Sequence, residues 1–167
     1  MRAFFGFLVA PLTIAVFDFL IAIPMGLALF DIVSDLGSGH HSHEAAEIVI
    51  GIGVIMIGWG VALEERKAFR DVFKVPDDPG HVQEHIDHSC HYYGLGQLVL
   101  GLFAEICVEA IKLPDRIINT SRIEPLVLGL SLLLIGLGLL FLFKHMVHMV
   151  IYAVGGTAAR KAHSAAP

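Results

Sequence analysis

The sequence contains few charged residues. Asp, Glu, Lys and Arg make up 16% of its 167 residues, whereas hydrophobic residues make up 56%. Ordinary soluble domains contain about 25% charged and roughly 45–50% apolar residues. A chain this poor in charge differs from a soluble globule, and its mean hydropathy of +0.74 favours a polytopic membrane protein.

Basic residues are the scarcer of the two charged classes. The chain has 11 Lys and Arg against 16 Asp and Glu, which gives a formal net charge of −5. Nucleic-acid binding depends on basic side chains that neutralise phosphates. The charge balance therefore excludes nucleic acid as a partner.

Cysteine and the common catalytic motifs are also scarce. Cys90 and Cys107 lie on one predicted helix, about 25 Å apart at roughly 1.5 Å per residue, so they cannot form a disulfide with each other. The chain has no CxxC, P-loop, GxSxG or HExxH motif and no Gly-rich dinucleotide-binding turn. No enzyme class is indicated.

Four apolar segments are long enough to cross roughly 30 Å of hydrocarbon. They cover about residues 3–30, 45–63, 91–111 and 125–143, the last extending as far as 154. Backbone polar groups in lipid must be satisfied within the segment, so each is predicted to be a helix. The predicted fold is all-α: one domain, 1–167, forming an integral membrane bundle of four transmembrane helices, with residues 155–167 as a mobile tail.

The distribution of Lys and Arg predicts the orientation. One side would carry both termini and the loop after the second span, with Arg2, Arg66, Lys67, Arg70, Lys74, Lys144, Arg160 and Lys161. The other side would carry Lys112, Arg116 and Arg122. The positive-inside rule therefore predicts cytoplasmic termini, in a plasma (inner) membrane. Trp59, Tyr92 and Tyr93 are typical of aromatic residues at the membrane interface.

Glycines recur seven residues apart within the spans. The pairs are Gly51 and Gly58, Gly53 and Gly60, Gly94 and Gly101, and Gly129 and Gly136. Seven residues make two helical turns, so each pair marks a face that a neighbouring helix can approach closely. Such faces predict a compact bundle and allow a homo-oligomer or partner membrane subunits.

Several ionisable residues lie inside the apolar spans or at their ends. A charge near the middle of a bilayer costs at least roughly 2.5–3.5 kcal/mol, so Asp18 is a candidate for an ion path. Adjacent spans run in opposite directions, which brings four carboxylates and one imidazole to the outer end. These candidate metal ligands are His43, Glu44, Glu47, Glu105 and Glu109.

A short His-rich segment precedes the third span. If it is an amphipathic helix, spacings of three and four residues align one stripe of candidate metal ligands. The stripe consists of His81, Glu84, His85, His88 and His91. The alternative interpretation is an interfacial helix whose histidines are solvated.

Carboxylate and imidazole ligands favour a divalent transition metal, namely Zn, Fe or Mn. Histidines on two spans suggest a further possibility, a b-type haem held by His88 or His91 together with His145 or His148. A di-iron centre is less favoured, because the Glu-x-x-His motif of di-iron bundles is missing.

Three functional hypotheses follow from these patterns. In the first, a small membrane protein binds a transition-metal ion through its Glu and His clusters and conducts that ion, or protons, across the membrane. In the second, the chain is a non-catalytic accessory subunit of a larger membrane complex. In the third, it is a redox membrane protein with haem or two irons.

Overall fold

The structure is a computed structural model. It describes the backbone of residues 2–35, 42–74, 82–115 and 123–164, and the side chains of residues 4–34, 44–74, 83–110, 112 and 123–155. The described elements are all helices, which confirms the all-α prediction. They are α1 (Arg2–Leu8), α2 (Pro11–Asp35), α3 (Ser42–Glu64), α4 (Arg66–Phe73), α5 (Val82–Asp115) and α6 (Glu124–Ser164).

Four of these helices are long and apolar enough to cross a membrane. The candidate spans are Pro11–Ser34, Glu44–Glu64, Gln83–Ala110 and Glu124–Gly155. The chain therefore has the composition and helix lengths of an integral membrane protein. The third span begins earlier than the sequence predicts, because most of the His-rich segment is the first part of α5. Helix α6 continues to Ser164, into the predicted tail, and residues 165–167 lie outside the described residues.

The first apolar segment is two helices instead of one. The α-helical pattern is interrupted at Val9 and Ala10, between α1 and α2. Pro11 has no backbone N–H, and its fixed φ is compatible with the first turn of a helix. A new helix therefore begins at Pro11, and α1 is a separate short helix beside the bundle.

Helices α3 and α5 form the most extensive helix pair, and glycines make their close approach possible. A Cβ added at Gly60 would lie 2.6 Å from the carbonyl oxygen of Gly94, and one added at Gly94 would lie 2.7 Å from that of Gly60. Further along the same pair of helices, a Cβ added at Gly53 would lie 3.1 Å from the carbonyl oxygen of Gly101, and one added at Gly101 would lie 2.8 Å from that of Gly53. The predicted glycine faces are confirmed for these two pairs.

The other predicted glycine faces do not pack in this way. A Cβ added at Gly51, Gly58 or Gly129 would meet nothing within 4 Å, and one at Gly136 would reach Leu29 at 4.0 Å. Gly51 and Gly58 precede the packed glycines of α3 by two residues each, which places them on a different side of the helix.

Helix α6 packs against both α5 and α2, whereas α2 and α3 make few contacts with each other. The largest apolar core combines residues of α2, α3, α5 and α6. Its fully buried members include Met25, Val49, Met56, Ala104, Ile135 and Leu142. Large apolar side chains such as Leu27 and Leu140 point outward, as expected for helices that face lipid.

Candidate functional site

The most unusual feature of the bundle is a fully buried ionisable pair. Asp18 of α2 and His145 of α6 are each 0% exposed. Nδ1 of His145 lies 2.8 Å from Oδ2 of Asp18, and the indole Nε1 of Trp59 donates a hydrogen bond to Oδ1 at 2.8 Å. Both carboxyl oxygens therefore have partners, which offsets the cost of burying this group. The three side chains link α2, α3 and α6.

Helical spacing places both members of the pair on buried faces. On α2, Ile14, Asp18, Met25 and Ile32 follow one another at intervals of four or seven residues, and all are buried. On α6, His145 shares the buried face with Leu128, Ser131, Ile135, Leu142 and Met149. Because α6 lies between α2 and α5, the imidazole meets the carboxylate inside the bundle.

The second nitrogen of the imidazole is available. Nε2 of His145 is buried and has no hydrogen-bond partner among the described residues. The ring of Tyr93 lies next to it, with centroids 5.3 Å apart. The Tyr93 hydroxyl in turn lies 3.1 Å from Nδ1 of His148, which is exposed. A buried imidazole held by a carboxylate at one nitrogen can accept or release a proton at the other.

Further buried polar groups lie along the interface of α5 and α6. Gln97, 1% exposed, donates from Nε2 to the Gly138 carbonyl oxygen at 2.6 Å. Ser131 is 0% exposed, and its hydroxyl donates a hydrogen bond to the Ala104 carbonyl oxygen, with Oγ 3.3 Å from that oxygen. Ser131 and His148 are 17 residues apart, about 25 Å along the helix. Polar groups are thus spread over most of the bundle's depth.

A second charged cluster lies at the end of the bundle where α2 and α5 begin. Nε and Nη2 of Arg66 donate to the Val9 carbonyl oxygen at 3.1 and 2.7 Å, and Arg66 also pairs with Asp87. Nη1 of Arg70 lies 2.7 Å from Oδ2 of the same carboxylate. Burial lowers the pKa of Arg66, an effect that the nearby carboxylate of Asp87 opposes. Arg66 therefore satisfies a carbonyl left free by the break before Pro11 and joins α4 to α5.

Replacing Arg66 by methionine should destabilise the protein by about 1–3 kcal/mol, because the Val9 carbonyl loses its donor, while Asp87 keeps Arg70 as a partner. Its neighbour Lys67 is exposed, so Lys67→Met is the matched control. Thermal unfolding in detergent would measure the stability of both variants. Equal melting temperatures for the two variants would contradict this role for Arg66.

The predicted outer carboxylates lie together toward the end of the bundle opposite Arg66. Glu44 and Glu47 are exposed near the start of α3, while Glu105 packs beside Gly53. Glu109 is exposed, with Oε1 4.0 Å from Nζ of Lys112. Among the side chains that the structure describes, no three or more His, Cys, Asp or Glu form a group that could hold a metal ion. The side chain of His43 lies outside the described residues.

The predicted histidine stripe lies on the surface of α5. Glu84, His85, His88 and His91 are all exposed, and Nδ1 of His91 lies 3.8 Å from Oε1 of Glu64. His145, by contrast, is fully buried and directed at Asp18. His81 lies outside the described residues. The metal, haem and di-iron hypotheses stay predictions.

The sequence patterns do not predict two features of the site. Trp59, expected at the interface, instead donates to a carboxylate inside the bundle. The pairing of Asp18 with His145 was also not predicted. One signal was present: a carboxylate within an apolar span needs a buried polar partner, and His145 lies on a helix face shared with Ser131 and Gly138. Comparison with known protein families, curated proteins and solved structures finds no match, so the chemistry of the buried pair is the basis for assigning a function.

Proposed function

We propose that this protein binds and transfers protons within a membrane, and that the Asp18–His145 pair is its proton-binding site. One observation supports the proposal above all others. Two ionisable side chains from different helices are fully buried and in direct contact, in a chain with four helices apolar enough to span a membrane. Intramembrane ionisable groups of this kind are costly, and they typically serve ion or proton pathways.

The geometry suggests how each group would act. Asp18 holds Nδ1 of the imidazole, so Nε2 of His145 is the atom that gains or loses the proton. The carboxylate fixes the orientation of the imidazole ring by holding Nδ1 at Oδ2. Trp59 fixes the other carboxyl oxygen and thereby orients Asp18 toward the ring.

Polar groups lie on both sides of the pair. Toward one end, the hydroxyl of Tyr93 and the exposed His148 would connect His145 to the surface near Lys144. Toward the other end, Gln97 and Ser131 continue along α5 and α6. We propose that protons follow this interface, with rearrangement of side chains or bound water between the polar groups.

The alternative is that the pair binds a transition metal, Zn, Fe or Mn, as the sequence suggests, and conducts it across the membrane. A structural or catalytic zinc ion takes at least three protein ligands. The pair supplies two, and the described residues place no third His, Cys, Asp or Glu with them. Proton transfer needs only the two groups that are in contact, and this favours it over metal transport.

A flux assay tests the proposal. The protein would be reconstituted in liposomes that contain a pH-sensitive dye, and proton entry would be driven by a potassium diffusion potential. The wild type should acidify the lumen at least tenfold faster than empty liposomes, and His145→Gln should remove most of this flux. His88→Gln changes an exposed imidazole and should retain it. Equal flux in the two variants would contradict the proposal.

A separate observation favours the second candidate function, a subunit of a homo-oligomer or of a larger membrane complex. Gly51 and Gly58 form an exposed face of α3 with open space in front of it. Membrane helices associate through such faces. If this face is an interface, Gly51→Leu combined with Gly58→Leu should reduce the mass of the particle measured by light scattering in mild detergent. An unchanged mass would contradict it.

Cytoplasmic termini and a plasma (inner) membrane location stay predictions of the Lys and Arg distribution.

A further inference from the structure

A cleft separates the first half of α2 from the last turns of α3. Its volume is about 250 Å³, and its lining includes Ile14, Phe17, Trp59, Ala62 and Phe69. The cleft exists because α2 packs on α6 and α3 packs on α5, which leaves these two helices with few contacts between them. Its walls are almost entirely apolar.

The helices beside the cleft expose large apolar side chains. In α1, Phe4 and Phe7 are 64% and 66% exposed. In α4, Val72 is 73% exposed, together with the charged side chains of Lys67 and Asp71. The outward face of α1 is therefore suited to the apolar part of a bilayer, and α4, which exposes both charged and apolar side chains, is suited to the membrane interface.

The two short helices are also joined to each other. Phe5 of α1 stacks on Phe73 of α4, with ring centroids 3.8 Å apart, and lies 5.6 Å from the ring of Phe69. Phe69 and Leu8 both line the cleft. The cleft is thus bordered at one end by this aromatic layer, and Phe17 and Trp59 of its lining lie inside candidate membrane spans.

We propose that the cleft binds a single acyl chain of a bilayer phospholipid. Sites for drug-sized ligands have volumes of roughly 300–1,000 Å³ and several convergent polar groups. This cleft is smaller and mostly apolar. Its lining includes two charged residues: Glu65 is exposed, and the guanidinium of Arg66 is already bonded to Val9 and Asp87. An acyl chain matches its apolar chemistry, and the bilayer supplies one directly.

The occupant would contact the site of the buried pair through one side chain. The ring of Trp59 lines the cleft, 5.7 Å from the ring of Phe17, while its Nε1 donates to Asp18. An acyl chain packed on this ring would support the orientation of the indole. The binding proposal itself stands whether or not the pair transfers protons.

Trp59 is also the natural probe, because the chain contains one tryptophan. The protein would be reconstituted in phosphatidylcholine vesicles with an increasing fraction of lipid brominated on both acyl chains, since bromine quenches indole fluorescence at contact. One bound chain predicts a fluorescence that falls linearly with the brominated fraction. Contact with several bulk lipids predicts a steep initial fall and would overturn the proposal, as would an unquenched wild type.

Filling the cleft gives a second, independent readout. Ala62→Phe and Val61→Phe, both at lining positions, should reduce the maximal quenching at least twofold. Val54→Phe is the control, because Val54 is exposed on α3 but does not line the cleft. Wild-type quenching in a filled variant that melts like the wild type would also overturn the proposal.

Discussion

Replacing Gly60 by alanine should strongly destabilise the bundle. The new Cβ would lie 2.6 Å from both the carbonyl oxygen of Gly94 and the amide nitrogen of Leu98. These are backbone atoms, so the clash can be relieved only by separating α3 from α5. Overpacking typically costs about 1–3 kcal/mol, and we expect the upper end here because the contact lies in the most extensive helix pair. Thermal unfolding in detergent, followed by circular dichroism, would measure the loss.

Gly58 provides the matched control on the same helix. A Cβ at this position would meet nothing within 4 Å. Alanine is favoured over glycine in a helix by about 0.8–1.0 kcal/mol, and it is itself one of the small residues found where membrane helices associate, so Gly58→Ala should be neutral or slightly stabilising. A Gly60→Ala variant as stable as Gly58→Ala would show that α3 and α5 do not approach as closely as described.

The second large effect is expected on replacing Asp18 by alanine. The substitution removes the acceptor for Nε1 of the partly buried Trp59 and the partner of Nδ1 of the fully buried His145. Breaking a buried pair from one side costs about 3–5 kcal/mol. Asp18→Asn should cost less, because the amide retains one oxygen that can accept a hydrogen bond.

Asp31 is the control for this prediction, since it lies on the same helix but is exposed. Asp31→Asn should unfold at the wild-type temperature. The order of melting temperatures should be wild type and Asp31→Asn highest, Asp18→Asn lower, and Asp18→Ala lowest. If Asp18→Ala melts like the wild type, the carboxylate is not held inside the bundle.

The four spans could be predicted because hydropathy is summed over about twenty residues and tolerates local errors. The break before Pro11 could not be located within the first apolar run, since both sides of it are equally apolar. The glycine spacing predicted which faces allow close approach. It could not tell Gly53 and Gly60 from Gly51 and Gly58, because both pairs have the same period.

Prediction of the site from the sequence has the same limit: single residues can be identified, but their contacts cannot. The cost of burying a charge identified Asp18 as a functional candidate from the sequence. Its partners, Trp59 and His145, are 41 and 127 residues away along the chain, so their contact depends on how the helices are arranged around α6. The histidine-rich stripe is the densest group of candidate ligands in the sequence, yet its described members lie on the surface, whereas His145 is fully buried.

The most direct test of the central claim is whether the buried pair exchanges a proton. Infrared difference spectra of the reconstituted protein, recorded across a pH titration, would detect changes in carboxyl and imidazole bands. We predict bands in the wild type that persist in Asp31→Asn and disappear in Asp18→Asn. Identical spectra for the wild type and Asp18→Asn would contradict proton exchange at Asp18 and His145.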